Sequence, residues 1–163
     1  MLAIRDALDR HEGFAMIPYI PHPMEVCRLV LECGGSQIAA CAAILHEAVG
    51  TGRMTCEEVT QRYGPEVSAL VRVLVMGQSE GEDEGSLLLC ADRTDHLLRR
   101  SQLGLGDCLA RDLNELQLTV LRLGPQVSQV LLTRLERVLP ALTPAAPRKH
   151  QANRKSGSRS SAA

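Results

Sequence analysis

Apolar residues recur at helical spacing along most of the chain, and Gly and Pro residues interrupt that pattern. This spacing is typical of amphipathic helices, and no stretch reads as a convincing strand. The predicted helices cover residues 2–11, 23–33, 37–49, 55–64, 65–76, 86–103, 107–122 and 125–139. The pattern therefore predicts an all-α helical bundle.

Turn and cap residues set the boundaries of these helices. In residues 18–23, PYIPHP, three prolines in six positions predict an extended segment that leads into the following helix. Gly34-Gly35 is expected to end that helix, and Ser36 is expected to cap the next one. The helix at 37–49 is apolar nearly all round, which predicts a central position in the bundle.

Composition narrows the classes of function. Of the 163 residues, 45% are apolar and 2% are aromatic, which argues against a protein that stacks nucleic-acid bases on aromatic side chains. The formal net charge of -1 provides no overall field that would attract DNA or a membrane. No apolar stretch is long enough to cross a bilayer, and the acids near the N-terminus do not fit a signal peptide. Six cysteines without a CxxC pair are expected to be reduced, so we expect a cytoplasmic protein.

A change in composition near Pro140 predicts the end of the folded region. We expect residues 1–140 to form one helical domain and residues 141–163 to form a disordered basic tail. Pro, Ala, Ser and basic residues dominate the tail, and acids are absent from it. Such a tail suits contact with nucleic acid or acidic lipids, but a solubilising role is the commoner one.

Two histidines and two carboxylates lie in or beside apolar helical segments. His46 and Glu47 are adjacent on the most apolar predicted helix, His22 precedes a helix, and Asp92 is embedded in LLLCADRTDHLL. A buried charge is costly without a partner; a divalent cation is one such partner, and an arginine or a hydrogen-bond network is another. Imidazole and carboxylate ligands together suit Mn, Fe, Zn or similar ions. From spacing alone, however, buried histidines with satisfied hydrogen bonds are the commoner arrangement.

Several blocks of the sequence, in order, resemble a known family. PYIPHPMEV, AAILHEAVGTGRMTCEEVTQRYGPEVSALV and CADRTDHL are similar to the HD-domain hydrolase module of the SpoT/RelA-type (p)ppGpp enzymes and their small stand-alone relatives. The resemblance covers about residues 1–105. It implies an all-α HD domain that holds a divalent metal, usually manganese. The metal ligands of the family, carried over to this chain, are His22, His46, Glu47 and Asp92.

This chain departs from the family pattern at positions that matter for catalysis. Glu47 replaces the Asp of the His-Asp pair, and Gly50 and Thr51 replace an acidic pair. In the family mechanism those acids activate water and protonate the leaving group, which neither Gly nor Thr can do at neutral pH. The basic loop before PYI is shortened to FAMI, so the arginine near the guanine base is missing. The chain therefore resembles a degenerate copy of the module.

Two functional hypotheses follow from this resemblance. The first is a metal-dependent phosphohydrolase with weakened or altered activity on a nucleotide or another pyrophosphate ester. In it, Asp95, His96 or Glu47 substitutes for the missing carboxylates, and Asp95 and His96 are the candidate substrate-binding residues. The second is a catalytically inactive HD domain that binds metal or nucleotide, or acts as a regulatory interaction module. The sequence leaves open whether the chain is an enzyme, and it leaves open the oligomeric state.

Overall fold

A computed structural model describes residues 3, 21–79, 83–102 and 109–139. The helices are α1 (Pro21–Glu32), α2 (Gln37–Gly50), α3 (Cys56–Tyr63), α4 (Pro65–Met76), α5 (Glu84–Gln102), α6 (Leu109–Val120) and α7 (Pro125–Leu135), followed by a short 3-10 turn (Glu136–Val138). No strand occurs within these residues, so the prediction of an all-α bundle is confirmed. The predicted tail lies outside the described residues, as does the first predicted helix apart from Ala3, which is helical and buried.

The boundary of α1 differs from the sequence prediction. The segment PYIPHP was expected to be extended, but α1 begins at Pro21 and includes His22 and Pro23. Prolines are compatible with this position because the first-turn amides of a helix have no intrahelical acceptor. The difference matters because it places His22 on a rigid helical turn.

Local capping explains the other boundaries. The Ser36 hydroxyl accepts a hydrogen bond from the Ala39 amide at 3.1 Å, as predicted. Thr55 and Glu58 form a reciprocal capping box at the start of α3. Gly64 separates α3 from α4 with a φ of 93°, a conformation that glycine adopts without steric cost. Each cap supplies partners for backbone groups that the helix ends leave unpaired.

Helix α2 contacts α1, α4 and α5, whereas α5 contacts the largest number of other elements among those that the structure describes. The inner face of α2 is built largely of small residues, and Ala39, Ala42, Ala43 and Leu45 have no exposed surface. Alanines let the neighbouring helices approach closely, while burial of a leucine side chain contributes about 1.5–3 kcal/mol. Helix α5 also packs against α1, so three helices that carry candidate ligands meet in pairs.

Among the helices that the structure describes, none combines the length and apolar character that a bilayer crossing requires.

Candidate metal centre

Three helices contribute the candidate ligands. His22 lies in the first turn of α1, His46 and Glu47 lie near the end of α2, and Asp92 lies in the middle of α5. These helices contact one another in all three pairings. The packing therefore brings together side chains that are up to 70 positions apart in the sequence (22 to 92).

The donor atoms of the four predicted ligands lie around His22. They fall into two groups that share this residue: His22 with His46 and Asp92, and His22 with Glu47 and His96. The Asp92 Oδ1 atom lies 3.1 Å from His22 Nε2 and 3.5 Å from His46 Nε2. The Glu47 Oε1 atom lies 3.7 Å from each of the same two nitrogens. Ligand atoms about 2.1 Å from a shared ion would be separated by about 3.0 Å at a right angle and about 4.2 Å when opposed. The observed separations lie within that range.

Two of these atoms are buried without a hydrogen-bond partner. Within the described part of the chain, His22 Nε2 and Asp92 Oδ1 are the buried side-chain atoms in this state. An unsatisfied buried polar atom costs about 1–3 kcal/mol, so these two atoms need either a proton on His22 Nε2, which would join them as an ion pair at 3.1 Å, or a cation in its place. A divalent cation between them would satisfy both atoms, and the donor set of imidazoles and carboxylates fits such an ion.

Hydrogen bonds behind the site orient both imidazoles. His22 Nδ1 lies 2.6 Å from Asp95 Oδ2, and that carboxylate also accepts from the Arg99 guanidinium. His46 Nδ1 lies 2.7 Å from the Ala43 carbonyl oxygen. A proton on each Nδ1 leaves the Nε2 lone pair directed into the pocket, which is the arrangement that metal-binding histidines usually show.

The electrostatics of the cluster favour a cation. Burial alone would lower the pKa of His22, but Asp92 and Asp95 outweigh it and raise that pKa to about 9. Burial alone would raise the pKa of Asp92, yet the neighbouring imidazoles of His22 and His46 hold it well below its usual range. The Asp95 carboxyl behaves alike: burial opposes its ionisation, but His22 and Arg99 lower its pKa. Both carboxylates are therefore charged, and a metal would take the place of the proton on His22 Nε2.

The two predicted substrate-binding residues, Asp95 and His96, lie in different environments. The Asp95 side chain is only 5% exposed and is occupied by His22 and Arg99, a position that suits orientation of His22 and does not suit contact with a substrate. His96 is 53% exposed, and its Nε2 lies 3.6 Å from Asp92 Oδ1 at the mouth of the pocket. Burial of the ring, together with the charge of His22, lowers the pKa of His96.

Sequence reasoning missed Arg99. Its guanidinium donates to the Asp95 carboxylate that holds His22, so it belongs to the support of the site. The signal that was available is the four-residue spacing of Asp95 and Arg99, which places an acid and a base on one helix face.

The end of α2 lacks the acidic pair that the family resemblance leads one to expect. Gly50 is the last residue of α2, and a Cβ atom built there would meet nothing within 4 Å. The Thr51 hydroxyl donates to the Glu47 carbonyl at 2.7 Å, so it is used as a helix cap. Position 50 therefore has space for a side chain, and neither position 50 nor position 51 carries an acid.

A cleft adjoins the cluster on the α5–α6 side. It has a volume of about 310 Å³, and its lining includes His96, Arg93, Arg100, Asp112 and Glu115. Arg100 forms an ion pair with Asp112 at 2.6 Å, while Arg93 donates to the Gly77 carbonyl at 3.0 Å. Substrate that reaches the cluster from this side would meet two guanidinium groups and two carboxylates.

Comparison with known proteins agrees with the fold and with part of the resemblance. Residues 3–82 match a family model described as HD domain, and HD domains bind divalent metals. This match contains His22, His46 and Glu47, whereas Asp92 lies beyond it. A probable GTP pyrophosphokinase from Mycobacterium leprae (strain TN) is 31% identical over 88 residues, which are 50% of this chain and 11% of that protein. The chain thus corresponds to a small part of that relative. The described residues form an all-α helical bundle, and residues 3–82 are similar to HD domains.

Proposed function

We propose that this chain is a metal-dependent phosphohydrolase of the HD type that acts on a nucleotide or another pyrophosphate ester. The observation that carries this proposal is the pair of buried, unsatisfied atoms, His22 Nε2 and Asp92 Oδ1, 3.1 Å apart. His46 Nε2 and Glu47 Oε1 complete the proposed set of ligands around the same point. The metal that the family resemblance implies is manganese.

Besides binding the metal, residues of this chain would orient the ligands and accept a proton. A bound divalent cation supplies a Lewis acid for a phosphate oxygen and lowers the pKa of a coordinated water. Asp95 and Arg99 hold the His22 ring in the orientation that directs Nε2 into the pocket. Asp95 is already occupied by His22 and Arg99, so a proton from water would go to the oxygen of the Glu47 carboxylate that does not bind the metal.

The activity that we propose is weak. Each acid or base that takes part in a proton transfer contributes roughly 10²–10⁴-fold to the rate, and the edge formed by Gly50 and Thr51 supplies neither group. Metal binding depends on other residues, so it should persist while turnover is reduced.

A nucleotide is the proposed substrate class for two reasons. The relative from Mycobacterium leprae is described as a probable GTP pyrophosphokinase. The cleft beside His96 contains two arginines, and a phosphate there would compete with Asp112 for Arg100 and with the Gly77 carbonyl for Arg93. The arginine that lies near the guanine base in the family is missing from this chain. The sequence therefore does not specify which nucleotide base this chain prefers. Guanosine tetraphosphate and pentaphosphate are the first nucleotides to test.

Turnover of a nucleotide panel tests the proposal. Protein loaded with Mn²⁺, and separately with Zn²⁺, is incubated with guanosine and adenosine polyphosphates, and release of phosphate and pyrophosphate is measured. We expect slow, metal-dependent release from at least one nucleotide and none with Asp92→Asn. Equal release by that variant would show that the cluster is not the active site.

A second candidate function is a metal- and nucleotide-binding module without turnover. The absence of a side chain at Gly50 and the use of the Thr51 hydroxyl as a helix cap favour it. The same panel decides between the two. Saturable, metal-dependent nucleotide binding with no product after prolonged incubation would favour the binding module over the hydrolase.

A further inference from the structure

A third imidazole lies at the mouth of the proposed metal centre. His96 follows Asp92 by four residues on α5, so both side chains project from the same helix face. In the SpoT/RelA-type pattern that this stretch resembles, ADR is followed by Leu-His-Asn, whereas this chain reads Thr94-Asp95-His96. The imidazole at position 96 is therefore a feature of this chain. None of the four ligands carried over from the resemblance is His96.

The distances place the His96 ring among the donor atoms. Its Nε2 lies 3.6 Å from Asp92 Oδ1, which is similar to the 3.5 Å between His46 Nε2 and that oxygen. Ligand atoms of His96, His22 and Glu47 all lie within 4.8 Å of one another. The centroids of the His22 and His96 rings are 4.4 Å apart. By these measures His96 lies within ligand distance of His22, Glu47 and Asp92.

We propose that His96 is an additional metal ligand, which makes the centre richer in nitrogen and raises its preference for zinc over manganese. This inference rests on the proposed metal centre. Three imidazoles would join two carboxylates around the ion, instead of two imidazoles joining two carboxylates. Imidazole ligands suit zinc, whereas carboxylate oxygens suit manganese. An added imidazole therefore strengthens zinc binding more than manganese binding.

The exposure of His96 is compatible with this role. Its side chain is 53% exposed, whereas those of His22 and His46 are 11% and 8% exposed. A ligand at the open side of the centre leaves the ring able to move away when a substrate phosphate arrives. The alternative role, contact with the substrate only, predicts that removal of His96 leaves metal binding unchanged.

The experiment compares the affinities for two metals in four proteins. Dissociation constants for Zn²⁺ and Mn²⁺ are measured by competition with chromogenic chelators for the wild type, His96→Asn, His96→Asp and His150→Asn. The first variant restores the residue of the family pattern, and the second replaces the nitrogen ligand with a carboxylate. His150, which lies outside the described residues, controls for loss of any histidine. Circular dichroism checks that all four proteins keep their helices.

The expected result is a change in the ratio of the two affinities. His96→Asn should weaken zinc binding by about 10-fold to 100-fold and manganese binding by less than about threefold. His96→Asp should shift the ratio toward manganese, and His150→Asn should not change it. In the Co²⁺-loaded protein, loss of a nitrogen ligand should also alter the visible absorption spectrum.

Several results would overturn the inference. An unchanged ratio in His96→Asn, or an equal loss for both metals, means that His96 does not select the metal. Reduced nucleotide binding with unaltered metal affinities assigns His96 to the substrate instead. Wild-type protein that binds neither metal overturns the proposed metal centre as well, so the two failures can be told apart.

Discussion

The two edges of the pocket differ in how completely they are built. On the α1–α5 edge, His22 is held by Asp95, and Asp95 is held by Arg99. On the opposite edge, at the end of α2, Gly50 leaves open space and the Thr51 hydroxyl bonds to the backbone. On the first edge, His22 is an oriented donor supported by two further residues. On the second edge, Glu47 is a proposed ligand, and neither Gly50 nor Thr51 can exchange a proton.

This difference teaches that metal binding and catalysis depend on separate parts of the chain. A centre that holds a cation needs only ligands and the groups behind them. Rapid hydrolysis also needs an acid or base placed against the reacting water or leaving group. The contrast predicts that substitutions on one edge change affinity for metal and that substitutions on the other change the rate.

The largest expected effect comes from adding an acid to the bare edge. Gly50 follows His46 by four residues on α2, so a side chain at this position projects from the same helix face. Gly50→Glu meets no steric obstacle and should raise the rate of nucleotide hydrolysis by about 10-fold to 100-fold, which is less than the full effect of an evolved base. Steady-state release of phosphate measures the change.

Gly50→Gln is the matched control because it has the same size without the charge. It should leave the rate unchanged, and neither variant should alter metal affinity by more than about twofold. Equal stimulation by Glu and Gln would contradict the account, since it would attribute the gain to a better helix end and not to proton transfer.

The second prediction concerns pH and the supported edge. In the metal-free protein the pKa of His22 is about 9, above the ordinary value of 6.5. Its protonated form stabilises the metal-free fold at pH values below 6.5, and this contribution disappears as the pH rises through 9. Because a metal must displace the proton on Nε2, its apparent affinity should fall by about tenfold per unit as the pH drops from 9 to 7.

Calorimetry in buffers of different ionisation enthalpy tests this prediction. The measured enthalpy should reveal release of about one proton per ion bound at pH 7. An affinity that is constant between pH 7 and pH 9 would show that His22 binds the metal without losing a proton, or does not bind it.

The smallest expected effect is on metal affinity, from a substitution at Asp95, which contacts the proposed ligand His22. Asp95→Asn keeps an oxygen that can accept from His22 Nδ1 but removes the charge that makes the imidazole a stronger donor. Metal affinity should fall by about tenfold with little change in helix content. The matched control is Asp112→Asn, whose carboxylate pairs with Arg100 away from the four proposed ligands. Equal losses in both variants would mean that Asp95 has no special relation to His22.

The sequence was sufficient to predict most of the fold. The helical spacing of apolar residues and the Ser36 cap each act within a few positions, so local rules describe them well. The start of α1 was predicted wrongly because the prolines were read as breakers, although a helix tolerates them in its first turn. The proposed division at residue 140 stays a prediction.

The candidate site was predicted in part. The family resemblance supplied His22, His46, Glu47 and Asp92, and the structure brings their donor atoms together; their role as ligands stays a prediction. The position of Asp95 could not be read from the sequence, because it depends on how α5 is rotated against α1. That rotation buries Asp95 behind His22 and leaves His96 at the mouth of the pocket.

The most direct test of the proposed metal centre is the metal content of the purified protein. The wild type and Asp92→Asn are equilibrated with Mn²⁺ or Zn²⁺, dialysed extensively and analysed for metal, with Asp112→Asn as the control. The wild type and the control should retain about one ion per chain, and Asp92→Asn should retain almost none. Retention of the same amount of metal by Asp92→Asn, or its absence from the folded wild type under both conditions, would contradict the account.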